Sequence, residues 1–170
     1  MSMDIDVTLT PFSSTDVTLL SRWLVAPHVA RWYPDPEEHI RWSVNPPPGG
    51  ERVLIAVEDR HVGYIRWQTV SREVLDAVGL HEIPAGSVDV DILIGDSDFI
   101  GRGIGPKALL LLLSQLRQRR DVPLVGLTTN IQNLSAQRAY SKVGFHILRE
   151  YSPPGYGRCY LMIRVLEENA

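Results

Sequence analysis

Two carboxylates and three glycines carry the first chemical signal in this chain. Val88 to Ile94 reads as a strand in which Asp89 and Asp91 share the face opposite Val90 and Ile92. Ten residues beyond Asp91 begins the run Gly101-Arg102-Gly103-Ile104-Gly105-Pro106-Lys107, which opens a helical pattern. A strand, a glycine loop and a helix N-terminus make a phosphate cradle, because glycine lets the backbone approach closely and the first helical N–H groups are partly positive. Pro106 fits the first turn, where its missing N–H costs nothing, and Arg102 and Lys107 add positive charge. A tight turn without a ligand fits the glycines too, and two solvated strand residues fit the acids. In the chemical reading Asp91, on the strand that leads into the glycine loop, is the first choice as a general base. Asp89 is the second choice as base, and Asp89 or Glu82 can instead anchor positive charge.

Other motifs fare less well. Gly103-Ile104-Gly105-Pro106-Lys107-Ala108 satisfies the dinucleotide fingerprint G-x-G-x-x-A, but the acid that should follow the second strand is missing: Asp121 precedes the strand at Leu124. No Gly-Lys-Ser or Gly-Lys-Thr occurs, which excludes a P-loop. Trp32 and Tyr33 can wall a sugar ring, with Asp35, Glu37 and Glu38 beside them to hold ammonium groups, although such aromatics pack into a core as readily. The five histidines are dispersed without metal-ligand spacing, so no metal is expected. Cys159 is the single cysteine, which excludes an internal disulfide and leaves a buried, inert thiol as the expectation.

The elements that must position these residues follow from periodicity. Val7 to Thr10 alternates as a strand, and Ser13 to Asp16 offers caps for a helix reaching about Leu24. His28 to Tyr33 and Glu37 to Trp42 read as short helical pieces, and Asn45 to Gly50 as a loop. Arg52 to Glu58 and His61 to Thr69 form a hairpin, and Val70 to Gly86 has no clean period and reads as an excursion loop over a site. The helix after the glycine loop reaches about Arg120 with Leu109, Leu112, Leu113 and Leu116 on its core stripe. Leu124 to Thr129 is a buried strand, Asn133 caps a second helix carrying Ala136, Tyr140 and Val143 on one face, and Phe145 to Tyr151 and Cys159 to Val165 complete the strands.

With 170 residues, 44% apolar and 22% charged, the chain fits one globular domain and excludes wholesale disorder. The longest apolar run, Ala108 to Leu113, is far below the roughly 18 residues of a membrane span. Met1 to Val7 lacks the pattern of a secretory signal, so a cytoplasmic location and no membrane partner are expected. A net charge of -3 argues against a nucleic-acid partner. Its distribution is more telling. Glu73 to Gly101 holds seven acids and no Lys or Arg, whereas Arg102 to Arg120 holds five bases and no acid, so one half-site suits cations and its neighbour anions.

Ile100-Gly101-Arg102-Gly103-Ile104-Gly105, with Asn133-Leu134-Ser135-Ala136 and Tyr140-Ser141-Lys142-Val143-Gly144-Phe145 downstream, resembles the acetyl-CoA signature of the GCN5-related N-acetyltransferases. The family usually has Gln or Arg where Ile100 stands. The resemblance implies an α/β fold with a mixed, mostly antiparallel sheet of six or seven strands, two long helices after the glycine loop, and acetyl-CoA in a splayed crevice. It also implies that Ile92, Leu93 and Ile94 bind the pantetheine arm through their backbone and that Asn133 and Ala136 touch the coenzyme, beside the cradle of Gly101 to Lys107. Tyr140 is then the acid that protonates the leaving thiolate, and a backbone N–H near Ile92 to Ile94 stabilises the oxyanion. Trp23-Leu24, His28-Val29, Trp32-Tyr33, Val62-Gly63-Tyr64 and Asp91 resemble the aminoglycoside 6'-N-acetyltransferases, which implies a cationic amine substrate, antibiotic resistance, and a monomer or homodimer. Those relatives carry acids where this chain has Thr128 and the Pro154-Gly155 region, and siderophore-type N-acyltransferases of hydroxylysine share the N-terminal pattern. A non-catalytic coenzyme-binding sensor is the alternative outside enzymes.

Overall fold

The strands form where alternation lets one or both faces find apolar cover. In the computed structural model, which describes residues 4–166, they are β1 (Val7–Pro11), β2 (Gly50–Val57), β3 (Arg60–Thr69), β4 (Val88–Ile94), β5 (Leu124–Asn130), β6 (His146–Tyr151) and β7 (Cys159–Val165). They make one sheet in the order β1-β2-β3-β4-β5-β7-β6. Every neighbouring pair is antiparallel except β4 and β5, which run parallel. The fold is therefore α/β with a mixed, mostly antiparallel sheet, as expected.

Among the described residues six α-helices flank it: α1 (Val17–Val25), α2 (Pro27–Ala30), α3 (Pro36–Val44), α4 (Arg72–Ala77), α5 (Ile104–Arg119) and α6 (Leu134–Lys142). The apolar stripe of α5 packs with Ile65, Trp67, Val88, Val90, Val125 and Leu127 on one face of the sheet. On the other face α1 and α2 cover Leu54, Tyr64 and Leu93, and α4 covers Leu124, Leu161 and Ile163 through Leu75. Trp23 of α1 lies so close to Gly95, just past β4, that a Cβ there would sit 2.0 Å from its ring. Only glycine permits that contact.

Two expectations change. Val70 to Gly86 is not all loop, since it contains α4, capped by Ser71, whose side chain accepts from the Val74 N–H at 3.2 Å. Arg72 pins the segment by donating to the carbonyls of Ile83 and Leu80. Its sequence shows no helical period because Leu75 alone is buried while Val74 and Val78 stay exposed. The second change is that α5 is the one long helix after the glycine loop, with 16 residues against 9 in α6.

Candidate functional site

β4 and β5 are paired only at Val88 with Val125 and Asp89 with Gly126. Beyond that point they part, and a crevice of about 1220 Å³ passes between them. Because alternate residues of a strand turn their backbone groups to alternate edges, the N–H and C=O of Ile92 and Ile94 face the gap while Leu93 pairs with β3. The Ile92 carbonyl accepts from the Tyr33 hydroxyl at 2.8 Å and the Ile94 carbonyl from Nε2 of His28 at 3.0 Å. Each carbonyl keeps a second lone pair, and the two N–H groups remain on the open edge.

Gly101 and Gly103 adopt φ of +72° and +77°, a region that side chains disfavour, and beyond the adjoining backbone no protein atom lies within 4 Å of where a Cβ would stand at Gly101, Gly103 or Gly105. The loop thus faces open space, with the first amides of α5 lacking partners inside the helix. This is a fit for a pyrophosphate. The two cations expected beside the loop are engaged elsewhere. Lys107 Nζ is bound to Asp4 and to the Ile5 carbonyl, and Arg102 stacks on Phe99, so neither lines the crevice. Arg138 and Lys142 of α6 do. They stand at i, i+4, a spacing visible in the sequence. Asn133 caps α6 through the Ala136 N–H at 3.2 Å, and both residues, with Tyr140, line the same wall.

The acceptor side is built on β3 and β4. Arg66 lies opposite Asp91 and donates from Nε to Asp91 Oδ2 at 3.1 Å and from Nη1 and Nη2 to both oxygens of Glu38 at 3.3 and 3.2 Å. Its guanidinium stacks on Trp42 at 4.9 Å. Asp91 Oδ1 is left for a ligand. Asp89, next on the same face, is walled by protein though open to the wet crevice; that environment and then the neighbouring Asp91 charge push its carboxyl up to about 7. Tyr140 is raised well above an ordinary phenol, first by its surroundings and then by Asp91, which puts acid and base in electrostatic reach of each other. Behind Asp91, His39 and Tyr64 are buried with both ring nitrogens and the hydroxyl unpartnered, around a small cavity they share with Tyr33, Asp91, Ile92 and Leu93. Burial, followed by the Arg66 charge, lowers the His39 pKa and keeps the ring neutral.

A family model described as an acetyltransferase (GNAT) domain matches residues 13–152. The chain belongs to the GNAT acetyltransferases. No curated protein matches its sequence. Among solved structures, this GNAT chain resembles the aminoglycoside acetyltransferase AAC(6')-Ib in complex with coenzyme A, with 22% identity over 94% of this chain and 95% of that one and a TM-score of 0.80. An aminoglycoside N(6')-acetyltransferase from Legionella pneumophila matches at 20% identity, 96% and 94% coverage and TM-score 0.77. An uncharacterized protein from Bacillus halodurans matches at 18%, 94% and 83%, with TM-score 0.82. At these identities the likeness is one of fold.

Within the GNAT frame the sequence-derived residues divide. Asp89, Asp91, Tyr140, Asn133, Ala136, Ile92 to Ile94 and most of the glycine run meet in the crevice, and Trp32 and Asp35 line it too. Tyr33 also lines it, but its hydroxyl is spent on Ile92 and its ring rests edge-on against His39 at 4.8 Å, so it supports β4 more than it walls a sugar. Glu82 lies outside, held by Arg149 at 2.9 and 3.0 Å. His28, Arg66, Arg138 and Lys142 belong to the site and were missed. No group of histidine, cysteine and acidic side chains among the described residues is arranged to hold a metal.

Proposed function

We propose that this GNAT acetyltransferase moves acetyl from acetyl-CoA to a primary amine of a cationic small molecule, the 6'-amine of an aminoglycoside being the specific case, with antibiotic resistance as the result. The observation that carries the reading is the meeting of Asp91 and Tyr140 in one crevice with the glycine loop. Acetyl-CoA supplies the activated acetyl thioester. Gly101 to Gly105 bind its pyrophosphate by backbone amides, with Arg138 and Lys142 adding charge, and the N–H groups of Ile92 and Ile94 align the arm along β4 and stabilise the oxyanion. Asp91 holds the acceptor's ammonium at Oδ1 and takes its proton directly or through water, while Arg66 fixes the carboxylate through Oδ2. Tyr140 stays protonated at neutral pH and delivers a hydrogen bond, then its proton, to the departing sulfur. Asp35, Glu38 and Asp89 supply further negative charge to a polycation.

One observation favours a second acceptor, a hydroxylysine-type amino acid: Arg31, stacked on Trp32, lines the crevice, where a carboxylate would use it. Thiol release from acetyl-CoA, measured separately with kanamycin, tobramycin and hydroxylysine against a no-acceptor control, decides between these. Rapid release with the aminoglycosides and a product heavier by one acetyl group is the expected result. Release with hydroxylysine alone selects the second reading, and coenzyme binding without release to any amine would make the protein a sensor.

A further inference from the structure

The crevice does not end at the acids. Past Asp89 it continues over the closed part of the sheet, beneath α4, into a compartment walled by Val74, Val78, Leu80, Gly126, Tyr151 and Leu161. Val74 and Val78, one turn apart, are 44% and 46% exposed and line the cavity, while Leu75 between them anchors the helix to the sheet. Large apolar side chains left open to water inside a concavity are matched by an apolar occupant. Gly126 stands opposite Asp89 across the short parallel ladder, and having no side chain it leaves the space beside that carboxylate free. Asp89 and Tyr151 line the same crevice, and the Asp89 charge, after burial, helps hold the Tyr151 phenol up. An acid therefore sits at the junction between the acetyl-transfer centre and an apolar chamber.

We propose that this chamber receives an apolar body attached to the acceptor amine, so that the protein acetylates alkyl and arylalkyl primary amines as a further activity. The inference rests on the amine-acetylation reading above. In the step, the bound ammonium first gives one proton to water through Asp91; the neutral nitrogen then forms its bond to the acetyl carbon, the carbon–sulfur bond breaks with its electron pair going to sulfur, the nitrogen's second proton passes to Asp91, the sulfur takes the Tyr140 proton, and Tyr140 regains a proton from solvent as Asp91 releases its own. Asp89 at the rim argues for an amine's tail over the acyl chain of a longer thioester. A cationic head gains from that carboxylate, and a neutral thioester does not.

Primary n-alkylamines from propylamine to hexylamine provide the test, because they share one charge and one ammonium pKa and differ only in apolar length. Binding to the coenzyme A-loaded protein is measured by calorimetry, and turnover by thiol release. A fully buried methylene is worth about fourfold in affinity, so roughly 60-fold separates the ends of the series. The gain per methylene should vanish in Gly126→Leu and shrink in the Val74→Ser, Val78→Ser double variant. A Cβ at Gly126 meets nothing closer than 3.8 Å, and both valines are exposed, so these variants are expected to fold, which thermal melting checks. Affinity that is flat or undetectable along the series overturns the chamber's role, even where thiol release still supports amine acetylation. A gain with chain length that appears instead with butyryl- and hexanoyl-CoA at a fixed amine assigns the chamber to the donor and also overturns it. Rising affinity without release keeps the chamber as an apolar-amine site and removes the proposed acetylation.

Discussion

Asp91 is the residue on which the chemistry turns, and its geometry sets what its loss should do. Asp91→Asn keeps the shape and loses the base, so kcat should fall about 100-fold or more while coenzyme affinity holds; a kcat unchanged across pH would remove Asp91 from that role. Tyr140→Phe should slow turnover and spare coenzyme affinity, whereas a variant that fails to bind coenzyme would mark Tyr140 as packing. The two acids were legible in the sequence because strand alternation puts residues 89 and 91 on one face. Arg66, which fixes Asp91, was not, because its partners Glu38 and Asp91 lie 28 and 25 residues away along the chain. His28 reaches Ile94 across 66 residues. Contacts of that separation leave no local pattern.

Among the elements, the glycine loop and β4 were both readable, since one rests on backbone conformation and the other on a period of two. Gly103→Val forces a β-branched residue into φ of +77° and fills the open space before the loop. Coenzyme affinity should fall at least tenfold, measured by calorimetry, and an unaltered affinity would contradict the cradle. The helix α4 escaped detection for a physical reason: a six-residue helix with one buried side chain carries almost no amphipathic signal, and its stability comes from Ser71 and from Arg72 tying down distant carbonyls. Arg102 and Lys107 lie off the crevice lining for a reason the sequence does not show. Charges beside a phosphate loop suggest a ligand, but long side chains go where the nearest acceptors are, and for Lys107 those are Asp4 and Ile5.

For the molecule as a whole, the buried and crevice groups make stability depend on pH in two opposed ways. Asp89, raised to about 7 from 3.8, binds a proton more readily folded than unfolded, so it contributes stability at low pH that is lost as pH rises from about 4 to 7. His39, lowered from 6.5, prefers the neutral ring when folded, so its contribution is lost as pH falls below 6.5. Just below pH 6.5 the two oppose each other. Asp89→Asn should make the melting temperature climb more steeply with pH across that window, and His39→Gln should tilt it the other way. Two variants that tilt alike would disprove one of the assignments. In catalysis the same Asp89 ionisation should tighten cationic acceptors as pH rises through 7, seen as a falling KM that Asp89→Asn abolishes.

The two-pair ladder between β4 and β5 has a mechanical meaning as well. On one side of it lie four strands contiguous in sequence, β1 to β4, and on the other the three strands β5 to β7, each group antiparallel within itself. α5 packs across both. With only two residue pairs, this junction is the least-tied seam of the sheet, and the crevice lies along it. Coenzyme in that gap would act as a clamp between two half-sheets. Amide hydrogen exchange should slow most at Val88 to Val90 and Leu124 to Gly126 when acetyl-CoA is added, well beyond the residues that touch it.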